Sequence, residues 1–301
     1  TANDAAFNAY ITDSIDAGNR GRTESVLAVL PLLSMLIIFG LFDGMTQRGE
    51  WQRFFAIFGA LVTLAGVAGI FLIKEPDIGP RREPYLKNLV YGLRPDVIRD
   101  NCALYLAFAA FCLFSVAVQV FFPYLIIYMQ NYLKIDTYAL VLGVVLITAS
   151  VVSVASGKAI DRVGKLRFVL PAAAVMLIGL VGMYFVRGMA GVMAAGCVMM
   201  SGYMLVTAVL SGVIRDNTPE GKAGHFQGIR MIFGVMLPMI IGPAVGAAVI
   251  RGSDSTYVEL GVVKTVPTPG IFLAAAIVLL LIIPPVLLLK KPGAESKEGK
   301  A

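Results

Sequence analysis

Charged side chains gather in two short stretches at spacings that could do chemistry. The first reads Gly157, Lys158, Ala159, Ile160, Asp161, Arg162, Val163, Gly164, Lys165, Leu166, Arg167, and the second runs from Arg215 and Asp216 through Glu220, Lys222 and His225 to Arg230. A carboxylate set among ammonium and guanidinium groups forms ion pairs that a conformational change makes and breaks, and Asp161 beside a helix N-terminus would also complement the helix dipole. Glycines at such a junction let two helix ends approach closely. Asp216 or Glu220 is therefore expected to pair with Arg230 or with the Gly157 to Arg167 stretch. Other chemistries lack comparable patterns. His225 is the only histidine and has no second ligand beside it, while Cys102, Cys112 and Cys197 show no CxxC or Cys/His spacing, so no metal site is expected. No phosphate-cradling GxxxxGK(S/T) loop, HExxH or GxSxG is present, so neither ATP hydrolysis nor a covalent intermediate is encoded. The chain reads as a non-enzyme without a cofactor.

Neutral polar side chains form a second group of candidates. Gln119, Tyr124 and Tyr128 surround Pro123 inside an apolar run, and the proline would bend a helix there and free a carbonyl toward a cavity. An amide offers two donors and an acceptor to hydroxyls, and a tyrosine ring stacks on a sugar. Thr148, Ser150, Ser201, Tyr203 and Thr207 lie in neighbouring runs and could face the same cavity, although small hydroxyls more often bond their own helix. Gly242 and Gly246 make a GxxxG spacing suited to close helix packing. Met183, Met189, Met193, Met199, Met200 and Met204 read as a pliable packing surface.

The elements that position these groups are apolar helices. Of the 301 residues, 58% are hydrophobic and 15% charged, against about 25% charged in soluble domains, and mean hydropathy is +0.81. The net charge of +6 lies between apolar runs rather than in a patch, which excludes nucleic acid as a partner and leaves membrane lipid. A span needs about 20 apolar residues to cross a hydrocarbon core of roughly 30 Å. Eight runs fit: Val26 to Phe42, Phe54 to Ile73, Ala103 to Met129, Tyr138 to Ser156, Phe168 to Val186, Val192 to Ile214, Met231 to Ile250 and Ile271 to Leu289. Strand-like alternation is absent from them, so the fold class is an all-α polytopic membrane protein. Nineteen of the 25 Lys and Arg fall in one alternating set of connecting segments and six in the other. By the positive-inside rule both termini face the cytoplasm, in a plasma (inner) membrane. The proline-rich basic stretch 74–101 reads as a cytoplasmic linker, and no secretory leader is visible at Thr1.

An internal repeat organises the spans. Shifting Ile11 onto Ile214 pairs Asp13 with Asp216, Gly18 with Gly221, Gly21 with Gly224 and Glu24 with Gln227, each set leading into an apolar run. Parallel repeats of about 200 residues imply six helices each. Residues 102–289 would then form one complete six-helix bundle, 1–73 the end of a preceding bundle (the exit of its helix 4, then helices 5 and 6), and 290–301 a cytoplasmic tail. Four helices would be missing before Thr1, and those helices are the expected partner of this chain.

The GKxxDRxGKxR pattern from Gly157 to Arg167 resembles the cytoplasmic signature of the major facilitator superfamily. That resemblance implies the C-terminal part of a twelve-helix fold with eight transmembrane helices present, and secondary active transport by alternating access. It also implies a cytoplasmic gate drawn from Gly157, Asp161, Arg162, Gly164, Lys165, Asp216, Glu220 and Arg230. The segment Asn3 to Asn8, with Asp16 to Arg22, is similar to helix 4 and its exit loop in the glycoside-pentoside-hexuronide cation symporters, though Asn8 replaces the usual aromatic. This second resemblance implies a coupling cation, Na⁺ or H⁺, at Asp4, and a sugar or glycoside as the small-molecule solute. Gln119, Tyr124, Tyr128, Thr148 and Tyr203 are its expected contacts. The alternatives are a drug or lipid exporter of the same superfamily and a non-transporting membrane sensor or permease module.

Overall fold

A computed structural model of the chain describes residues 30, 33–34, 37–72, 92, 94–219, 223–253, 255–259 and 261–290. Among them, seven helices are long and apolar enough to cross a membrane. They are α1 (Trp51–Leu72), α2 (Cys102–Tyr132), α3 (Tyr138–Val163), α4 (Lys165–Phe185), α5 (Met189–Asp216), α6 (Phe226–Ile250) and α7 (Gly270–Leu289). The eighth expected run, Val26 to Phe42, lies in part outside the described residues. Its end, Ile38–Phe42, forms a π-turn.

Each boundary has a local cause. The first charged stretch is not a loop, because nothing between Gly157 and Val163 breaks a helix, and α3 continues through it. The break falls on Gly164 alone, whose φ of 90° favours a residue without a Cβ. Helix α4 starts at the next residue. Within α2, Pro123 lies in a 3₁₀ turn, Phe122–Tyr124, and the helix ends in a π-turn, Tyr128–Tyr132. The proline ring displaces the helical bond to the Gln119 carbonyl, so the axis bends where the sequence places a proline.

Helices α2 to α7 share one core, built from buried side chains such as Phe108, Phe114, Phe121, Met176 and Phe272. Lipid supplies little hydrophobic force between helices, so close approach through small residues holds them. A Cβ on Gly179 would lie 2.3 Å from Met199 Cα, and one on Gly202 2.3 Å from the Met176 backbone nitrogen, so α4 and α5 touch backbone to backbone at two levels. Gly242 and Gly246 do the same for α6 against Gln119, Val120 and Tyr124 of α2. Helix α1 buries none of its residues. It folds back on Ile38–Phe42, where the Phe42 and Phe58 rings are 4.9 Å apart, and Ile38–Phe42 in turn packs on α3.

One element has no counterpart in the sequence reading. Strands β1 (Thr256–Glu259) and β2 (Val262–Thr265) pair antiparallel between α6 and α7, with Gly261 at φ 78° in the turn. Valines and threonines flanking a glycine are its signal. The hairpin is short beside the apolar runs, so in the sequence it is one more connecting segment.

If the α4–α5 contact holds the bundle, Gly202→Leu should cost about 3 kcal/mol, because a backbone atom cannot yield as a side chain does. The thermal unfolding midpoint of the purified chain should drop accordingly. Gly188→Ala, at a position open to solvent, should leave it unchanged.

Candidate functional site

Lys165 is the first residue of α4 and Asp216 the last of α5. Because the two helices run antiparallel in backbone contact, their ends meet, and Lys165 Nζ donates to Asp216 Oδ1 at 2.8 Å and Oδ2 at 2.7 Å. The lysine stem crosses Gly212, where a Cβ would lie 3.0 Å from Lys165 Cδ. A carboxylate at a helix C-terminus opposes the dipole, and the ammonium offsets that repulsion. Asn217 Nδ2 and Thr218 Oγ1 donate to the Val213 and Ile214 carbonyls at 2.8 and 2.7 Å and close the helix end. With 33% of the lysine and 53% of the aspartate side chain exposed, the pair is worth on the order of 0.5 kcal/mol. Such a pair is weak enough to exchange partners at little cost.

The other gate candidates lie on three elements. Gly157 and Arg162 lie on the last turns of α3, Gly164 at the break, and Arg230 near the start of α6. Asp4 and Glu220 lie outside the described residues, as does the Asp161 side chain. The Lys165 to Asp216 pair joins two helices of one bundle, so it braces that bundle rather than crossing to another.

The polar candidates for solute contact are engaged in packing. Tyr124 donates its hydroxyl to the Pro243 carbonyl at 3.0 Å, tying α2 to α6. Tyr128 is fully buried, its ring stacked on Tyr132 and edge-on to Phe272, both with centroids 5.1 Å away. Among the described residues its hydroxyl has no hydrogen-bond partner. Tyr203 stacks on Phe114 at 5.7 Å. Thr148, Ser150 and Thr207 each donate at 2.8 Å to the carbonyl four residues earlier in their own helix. Gln119 sits against Gly242, and Ser201 is buried in α5. Among the described residues there is no group of three His, Cys, Asp or Glu that could hold a metal ion.

A cavity among the described residues lies elsewhere, near the end of the bundle opposite the ion pair. It measures about 70 Å³ and is enclosed by α2, α3, α4 and α5, with Leu125, Met129, Val145, Met183, Met199 and Met200 among its lining residues. None of the five expected solute contacts lines it. Its only sequence signal was the methionine series, which reads equally well as packing.

Seven apolar helices define an integral membrane protein of the polytopic all-α class. Residues 1–243 match the profile of the Major Facilitator Superfamily, and the chain belongs to that superfamily, whose members are transporters. No curated protein matches the chain.

Tyr124→Phe removes the side-chain hydrogen bond from α2 to the Pro243 carbonyl of α6. It should cost about 1 kcal/mol, visible as a lower unfolding midpoint in detergent.

Proposed function

We propose that the protein carries a small solute across the plasma membrane by alternating access. Helices α2 to α7 would act as one six-helix bundle that rocks against the helices before residue 74, with both termini cytoplasmic. The observation that carries this reading is the contrast between two kinds of contact. Inside the bundle, α4 and α5 meet backbone to backbone, whereas among the described residues before residue 74 the main contact with the bundle is that of Ile38–Phe42 with α3. A stiff body with a slight seam is what rocking requires. The Lys165 to Asp216 pair would hold the cytoplasmic end of the bundle in shape while that end closes.

The solute reading rests first on the resemblance of the Asp4 segment to sugar–cation symporters. The middles of the spans carry no Asp, Glu, Lys, Arg or His, which suits a neutral solute. A second reading, export of a drug or lipid, is favoured by the cavity between α2 and α5, whose lining side chains are apolar.

Two outcomes test the transport reading. In proteoliposomes, radiolabelled glycosides should accumulate under an inward Na⁺ or H⁺ gradient, and Asp4→Asn should abolish the gradient dependence while leaving facilitated exchange. Coupled uptake with an unaltered cation dependence would reject Asp4 as the ligand. For the brace, Asp216→Asn should lower the uptake rate several-fold, and the swap of Lys165→Asp with Asp216→Lys should recover most of it. A swap no better than either single change would remove the ion pair from the mechanism.

A further inference from the structure

We propose that the cavity enclosed by α2, α3, α4 and α5 is a binding site for a small apolar group, hydrocarbon or aromatic, that bears no hydrogen-bonding function. The site lies inside one bundle and does not depend on the sugar reading above; the export reading draws on the same cavity.

The lining decides the chemistry. Every side chain around the cavity is apolar, so a hydroxyl or charge stripped of water there would meet no partner and bind poorly. A sugar is excluded from this cavity. Water itself gains little, because it needs several polar partners to stay. Atoms facing an empty space forgo dispersion contacts, which favours an apolar occupant over none.

The walls can also adjust to a guest. Met129, Met183 and Met199 are each 1% exposed and Met200 4%, which places four flexible, polarisable thioethers around one space. Gly196 forms part of the wall with no side chain, and Val145 Cγ2 sits 3.1 Å from where its Cβ would be. On the α2 side the lining spans Phe122 to Met129, the segment already loosened by the Pro123 turn and the π-turn after it. Phe122, Ile126 and Leu142 line the space and are only partly buried, which sets its mouth between α2 and α3. The same chemistry could arrive as the apolar part of a dissolved molecule or as the end of a membrane acyl chain.

Methyl NMR of the whole chain in nanodiscs, with ¹³C-methyl methionine and benzene as the probe, tests the site. Met129, Met183, Met199 and Met200 should shift saturably, while Met239, 58% exposed on α6, should follow only the linear partition of benzene into lipid. Val141→Phe, which fills the space, should remove the saturable shift. If that variant fails to fold, competition between xenon and benzene for the same four resonances replaces it. Lipids spin-labelled along the acyl chain then separate the sources. Selective broadening of the four resonances identifies an acyl chain, and broadening of Met239 alone identifies a dissolved guest. Linear responses of all methionines alike would overturn the proposal, whatever the transport assays show.

Discussion

The bundle depends on the closeness of α4 and α5. In hydrocarbon, apolar side chains gain little by leaving lipid for one another, so two helices stay together through dispersion contacts made at short range. Gly179 and Gly202 supply that range from opposite helices, each receiving the other's backbone at a methionine. The arrangement is reciprocal, and it fixes both the separation and the register of the antiparallel pair. From that register follows the meeting of Lys165 with Asp216 at one end, with Gly212 clearing the path of the lysine stem. At the other end the same two helices hold Met183, Met199 and Met200 around the cavity.

Stiffness and softness are thus distributed along the bundle rather than uniform. The glycine contacts can close no further and gain nothing by opening. The ion pair, half in solvent, costs little to rearrange. The bend of α2 at Pro123 removes a backbone bond where Tyr124 adds one to α6, so the helix is interrupted but remains tethered. In the proposed cycle, movement would concentrate at the slight seam between Ile38–Phe42 and α3, with the bundle itself carried as a body.

Much of this was legible in the sequence because its physics is local. Apolar length specifies a span regardless of its neighbours, and the runs after Phe54 reappear as α1 to α7 with ends shifted by a few residues. The proline bend and the GxxxG seam on α6 were readable because proline and glycine act through their own backbone. The hydroxyls of Thr148, Ser150 and Thr207 bond carbonyls one turn earlier in their own helices, as short polar side chains do in apolar helices. What escaped was relational. Whether Gly157 to Val163 stays helical depends on the absence of a breaker before Gly164. The cavity depends on how four helices fail to fill a space, and no single residue records that. Asp4, Glu220 and the repeat around Asp13 lie outside the described residues.

The α4–α5 contact can be measured directly by cysteine cross-linking. A Cβ on Gly182 would lie 3.2 Å from Ala195 Cβ, close to the roughly 3.8 Å of a disulfide. With the native cysteines replaced, Gly182→Cys paired with Ala195→Cys should oxidise to near completion in membranes, equally with and without an ion gradient. Ile178→Cys paired with Val198→Cys, on the exposed faces of the same helices, should remain reduced. Oxidation of the first pair no faster than the second, or dependent on the gradient, would contradict a fixed α4–α5 seam and with it the origin assigned to both the ion pair and the cavity.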